Sequence, residues 1–85
     1  MNRKAGENMA FNYNKLKGRI VEICGTQSEF ASRMDISERT ISLKLKGKIS
    51  WKQKEILKAL EVLNLSISDI QEYFFNVCEV QNVEQ

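Results

Sequence analysis

The stretch Gln27-Ser28-Glu29-Phe30-Ala31-Ser32-Arg33-Met34-Asp35-Ile36-Ser37-Glu38-Arg39-Thr40-Ile41-Ser42-Leu43-Lys44-Leu45-Lys46-Gly47 decides the fold. Apolar residues recur in it at helical spacing twice, first at Phe30, Ala31 and Met34, then at Ile41 and Leu45. Asp35-Ile36 breaks the pattern between them, and Ser37 supplies an N-cap for a second helix. The first helix starts from Thr26, and Glu29 three residues later completes a capping-box pattern. Two helices of about two turns each therefore meet at a tight turn. Close crossing requires a small side chain at the contact, and Ala31 supplies one. Ile36 and Ile41 fill the wedge. Gly47 stops the second helix near Lys46, and its outer face carries Glu38, Arg39, Ser42 and Leu43.

Helices are expected on both sides of this pair. Leu16, Ile20 and Ile23 fall at i, i+4 and i+7, which predicts a helix from Asn14 to Cys24, capped by Asn12 or Asn14 and ended by Gly25. Ser50 opens the next, with Gln53 in capping-box position and a buried stripe of Ile56, Leu57, Leu60 and Leu63 up to a stop at Asn64. A fifth, capped by Ser66 or Ser68, carries Ile70, Tyr73 and Phe74. Five short helices with short connections predict an all-α, compact domain over residues 11–76, with the helix-turn-helix at 27–46. Residues 1–10 read as a flexible extension and 77–85 as a tail. In the tail Val77, Val80 and Val83 recur every three residues, compatible with fraying, helix extension or strand pairing.

Composition narrows the function classes. The chain has 85 residues, enough for one domain, and no proline. Histidine is absent, which removes the commonest general base and metal ligand. Cys24 and Cys78 form no CxxC pair, and no Gly-rich phosphate loop is present. An enzyme, a cofactor, a metal site and a small-molecule ligand are therefore not expected. No apolar run approaches the roughly 20 residues of a membrane span, and the polar start is no signal peptide, so a cytoplasmic setting without membrane contact is the expectation. Charge is unevenly spread. All 13 Lys and Arg lie within residues 1–58 with six acids, while residues 59–85 hold five acids and no base. A nucleic-acid face with a protein-facing end gives such a distribution, and so does an uneven solubilising surface.

The residues from Gln27 to the closing Lys46-Gly47-Lys48, with Phe30-Ala31, Met34, Ile36-Ser37 and Thr40-Ile41 between, resemble the Cro/CI-type, lambda-repressor-like helix-turn-helix regulators of phages and bacteria. The resemblance extends over about residues 14–74, since that family also has five helices in this order. It departs at Asp35, where the turn often holds glycine, and at Lys44, a position usually apolar. It implies a sequence-specific double-stranded DNA-binding regulator that acts on an operator as a homodimer, with the helix at 38–46 in the major groove. Glu38, Arg39, Ser42 and Leu43 match the base readers. Gln27, Lys46 and Lys48 match phosphate contacts, and Thr26, Thr40, Lys44 and Lys52 are further phosphate candidates. The surplus of apolar residues at Tyr73, Phe74, Phe75, Val77 and Val80 suggests a dimer surface.

Plainer readings accompany these. Glu38 in a first helical turn favours the dipole. Arg39 has Asp35 within reach as a surface ion pair. Leu43 becomes core if the helix is rotated by about one residue and Leu45 takes the place of Lys44. Lys52, Lys54 and Lys58 suit a solvated face, and Trp51 suits a core lid. A helix-turn-helix protein-interaction module, or an antitoxin-like partner, is the alternative function.

Overall fold

Most helix ends are set by a residue whose backbone or side chain breaks the hydrogen-bond ladder, and the computed structural model, which describes residues 10–78, shows where these breaks fall. Helix α1 spans Asn14–Cys24. Asn12 Oδ1 accepts the N–H of Asn14 at 2.8 Å, which satisfies one of the orphan donors of the first turn. At its far end Gly25 adopts φ +86° and donates to the carbonyls of Ile20 and Val21.

Helix α2, Gln27–Met34, begins where Thr26 Oγ1 accepts the N–H of Glu29 at 3.0 Å. Only half of the expected capping box forms, because the Glu29 carboxylate turns along the helix to hold Arg33 Nε at 2.9 Å. Asp35 then takes the left-handed conformation at φ +62°, and Ile36 N–H closes back on Ala31 O at 3.0 Å. Asp tolerates this region better than most residues, so it fills the glycine position at modest cost. Ser37 caps α3, Glu38–Leu45, by accepting the N–H of Thr40 at 3.1 Å.

Helix α4 runs over Gln53–Val62, two residues later than a cap at Ser50 would start it. Lys52 occupies the cap position, and the Glu55 carboxylate accepts its N–H at 2.9 Å. Asn64, at φ +57°, ends the helix region as expected. Ser66 N–H and Oγ both donate to Asp69 Oδ2, which tightens Ile67–Asp69 into a 3-10 turn leading into α5, Ile70–Phe74.

The core is one cluster in which α2 packs against α1, α3 and α4. Leu16, Ile20, Phe30, Ile41, Ala59 and Leu63 are sealed from solvent. Leu57, expected in the buried stripe of α4, is instead 48% exposed, and Ala59 takes its place. The stripe that faces α2 is Ile56, Ala59, Leu60 and Leu63, spaced i, i+3, i+4 and i+7, and Leu57 lies about 100° off it.

The expected boundaries at residues 10 and 77 fall inside a short antiparallel ladder. Strand β1, Ala10–Phe11, pairs with β2, Val77–Cys78, with Phe11 opposite Val77. Asn12 N–H extends the pairing to Asn76 O. Strand pairing is thus realised for the start of the segment read as a tail. Val80 and Val83 lie outside the described residues, as does the extension before Ala10. No helix among the described residues is long and apolar enough to cross a membrane.

Candidate nucleic-acid interface

Helices α2 and α3 form the expected helix-turn-helix. Ala31 is buried at their contact, Ile36 in the turn is half-buried, and Ile41 is sealed. The inward face of α3 is Ile41, Lys44 and Leu45. At about 100° per residue, positions 39 and 43 lie opposite this face, 42 borders it, and 38, seven residues before Leu45, falls near its edge in the first turn. Glu38 and Arg39 are exposed, and Ser42 and Leu43 are half-buried. Lys46 and Lys48, beyond the helix end, are exposed. Among the described residues Arg39 makes no ion pair with Asp35.

Gln27 is half-buried at the first position of α2. Thr26 is exposed, with its hydroxyl oxygen engaged as the cap. Thr40 Oγ1 accepts from Ser37 Oγ at 2.9 Å, so part of its capacity serves the α3 terminus. Lys52 is exposed at the α4 cap, where the 47–51 loop ends.

Lys44 corrects the sequence reading. It was expected to reach a phosphate, yet its side chain is only 2% exposed. Its Nζ lies 2.8 Å from Glu55 Oε1, donates to Ser50 O at 2.9 Å, and sits 5.7 Å from the centroid of the Trp51 ring. The aliphatic stem fills the apolar slot three residues after Ile41, while the ammonium is neutralised inside the protein. No rotation of α3 is needed, because Lys44 and Leu45 both face inward and Leu43 keeps its place outside. Sequence reasoning missed Glu55 as the partner. Its signal was a glutamate at the third position of a helix that starts beside the end of α3.

Glu55 carries the electrostatic consequence. Burial, the largest single influence, pushes its carboxyl up. The hydrogen bonds from Lys44 Nζ and Lys52 N–H, with the charges of both lysines, overrule that and hold it below the ordinary carboxylate range. The pair fixes the end of α3 to the start of α4 and so sets how the open face of α3 is presented.

The expected dimer surface is reduced. Phe74 is buried, packed edge-on against Trp51 with ring centroids 5.2 Å apart, and cannot meet a partner. Tyr73 and Val77 are half-buried, Phe75 is 44% exposed, and Val80 lies outside the described residues. At this end Phe74 packs on Trp51 and Val77 pairs with Phe11, partners distant in sequence.

The comparisons with known proteins can be set against this geometry. A solved structure described as "Solution structure of the modulator of repression (MOR) of the temperate bacteriophage TP901-1 from Lactococcus lactis" is similar, with a TM-score of 0.70 and 56% sequence identity. The match covers 78% of this chain and 89% of that one. No curated protein matches. A family model described as "Protein of unknown function (DUF739)" matches residues 9–77, nearly the whole helical domain and its ladder, and the chain belongs to that family.

Proposed function

We propose that the chain is a phage or prophage regulator of repression that binds duplex DNA sequence-specifically, with α3 in the major groove in the manner of Cro/CI regulators. One observation supports this above others. The outer side of α3 carries Glu38 and Arg39 exposed and Ser42 and Leu43 half-buried but outside the core cluster, and Lys46 and Lys48, without an ion-pair partner among the described residues, follow at its end. In this reading Arg39 pairs with guanine O6 and N7, Glu38 accepts from cytosine N4, and Leu43 packs on a thymine methyl beside Ser42. Gln27 meets phosphate at the N-terminus of α2, where free N–H groups and the dipole favour an anion. Lys46 and Lys48 hold the backbone, with Thr26, Thr40 and Lys52 as lesser contacts. Two copies occupy half-sites about one helical turn apart. The protein acts by binding, in the cytoplasm, with no cofactor.

A titration of a labelled random-sequence duplex with the full chain at rising salt tests the reading. Affinity must fall steeply as salt rises. Selection of duplexes from a random pool should then return a two-fold-symmetric site. Arg39→Ala is expected to cost about 1–3 kcal/mol on that site and to relax its sequence, while Lys46→Ala weakens all duplexes alike. Equal loss for Arg39→Ala on selected and random DNA would refute the base-reading role.

A second reading has its own support. The neighbour's description as a modulator of repression, together with the withdrawal of Lys44 from the surface, favours a protein partner on the same α3 face. Glu38 then pairs with a base on that partner. No duplex binding even at low salt, and no enriched site, moves the assignment there.

A further inference from the structure

The loop leaving α3 borders an apolar surface that the DNA reading does not use. Phe11 and Phe75, with ring centroids 5.8 Å apart and nearly perpendicular, line a groove of about 510 Å³. Ile49 and Trp51 line it as well. Trp51, Ile56 and Phe75 also border an adjoining depression that reaches Leu57 and Ile70. Phe11, Ile49, Leu57 and Phe75 are each more than one-third exposed. Single exposed apolar residues are ordinary, but several joined by one groove on so small a domain mark a contact surface.

The charge of the groove identifies what fits it. Among the described residues, the charged ones that line it are Lys46 and Lys48, and none is an acid. Exposed Lys54 and Lys58 flank Leu57 in sequence. A two-fold contact with a second copy across this groove would set these lysines against their own images, and juxtaposed like charges are costly.

We propose that the groove docks an acidic, amphipathic segment of a partner protein. Its apolar side chains seat against Phe11, Trp51 and Phe75, and its carboxylates meet Lys46 and Lys48. Since the DNA reading uses the same two lysines for phosphate, the docked segment and DNA exclude each other. That last step rests on the DNA reading, whereas the docking does not.

Trp51 is the single tryptophan, so its emission reports on the groove in the full chain. The probe is a synthetic helical peptide with Leu and Phe at i, i+3, i+4 and i+7 and Glu elsewhere, compared with a twin carrying Lys for every Glu. The Glu peptide is expected to shift Trp51 emission saturably, and the Lys twin is not. Lys46→Glu with Lys48→Glu should weaken the Glu peptide by about tenfold or more, as should Leu57→Ser with Phe75→Ser. The lysine pair keeps the test valid if the apolar pair fails to fold.

No shift with the Glu peptide, or an equal shift with the Lys twin, overturns the proposal. A shift on raising protein concentration alone, with sedimentation as a dimer, assigns the groove to a second copy and also overturns it. So does peptide binding seen only after removal of residues 79–85, which makes the chain's own acidic end the occupant. A peptide that binds while no duplex does leaves the docking standing and removes the DNA reading. Duplex binding without peptide binding does the reverse.

Discussion

A single lysine carries the largest difference between what the local sequence suggests and what the fold does. Lys44 follows a regulator motif and precedes Lys46 and Lys48, so charge alone groups it with them. Packing separates it, because its position on α3 faces the loop before α4 and that helix's first turn, where the Ser50 carbonyl and Glu55 wait. Removing one partner of such a pair leaves the other charge poorly solvated. Lys44→Ala is therefore expected to cost roughly 3 kcal/mol, while Lys44→Met combined with Glu55→Gln should recover most of it. Urea unfolding of the two variants checks this, and a loss well under 1 kcal/mol for Lys44→Ala would show that the ammonium is not held. The pair also sets a pH dependence. The Glu55 carboxyl lies below its ordinary range in the folded state. Its contribution is complete above the unfolded value, near 4.3, and is lost as pH falls through the lower folded value. Glu55→Gln should flatten this acid limb of the stability curve, as read from urea midpoints between neutral and acid pH.

At the scale of elements, the helix ends were largely legible because they depend on local chemistry. Gly25, Asp35, Gly47 and Asn64 hold positive φ, and each follows a helix that the apolar periodicity had already delimited. Ser37 caps α3 through its own hydroxyl, so Ser37→Ala is expected to cost about 1 kcal/mol. Gly47→Ala tests the other end of the same helix. A Cβ there meets nothing within 4 Å, so its cost comes from the left-handed backbone at φ +80°, about 1–2 kcal/mol. Gly47→Asn should cost less in the same thermal or urea assay. The start of α4 was not legible. Ser50 looks like a cap, but its carbonyl serves Lys44, and Glu55 sets the cap two residues later. Likewise Leu57 was read as core because leucine in a helix usually is. Which side of α4 faces α2 is a tertiary fact.

Over the whole molecule, the two ends of the domain close on each other. Strands β1 and β2 join residues 10 and 78, and Phe74, Trp51 and Tyr13 stack edge to face beneath them. Phe74→Ala should cost about 3–5 kcal/mol, the usual loss for a buried ring, and should change Trp51 emission in the native state. Phe75→Ser, at a ring 44% exposed beside the groove, should cost much less, about 1 kcal/mol. The contrast between neighbouring phenylalanines, measured by urea unfolding, distinguishes the core from the surface at this end.

The sequence by itself determined the five helices, their order, the helix-turn-helix and the residues on the open face of α3. These follow from periodicity and capping, which act over three or four residues. Only the tertiary structure decided that Lys44 is internal, that Phe74 is core, that Leu57 is exposed and that the termini pair. Those outcomes depend on partners 11 to more than 60 residues away, such as Glu55 for Lys44 and Cys78 for Ala10. No local pattern specifies such partners, because they meet only once the helices have packed.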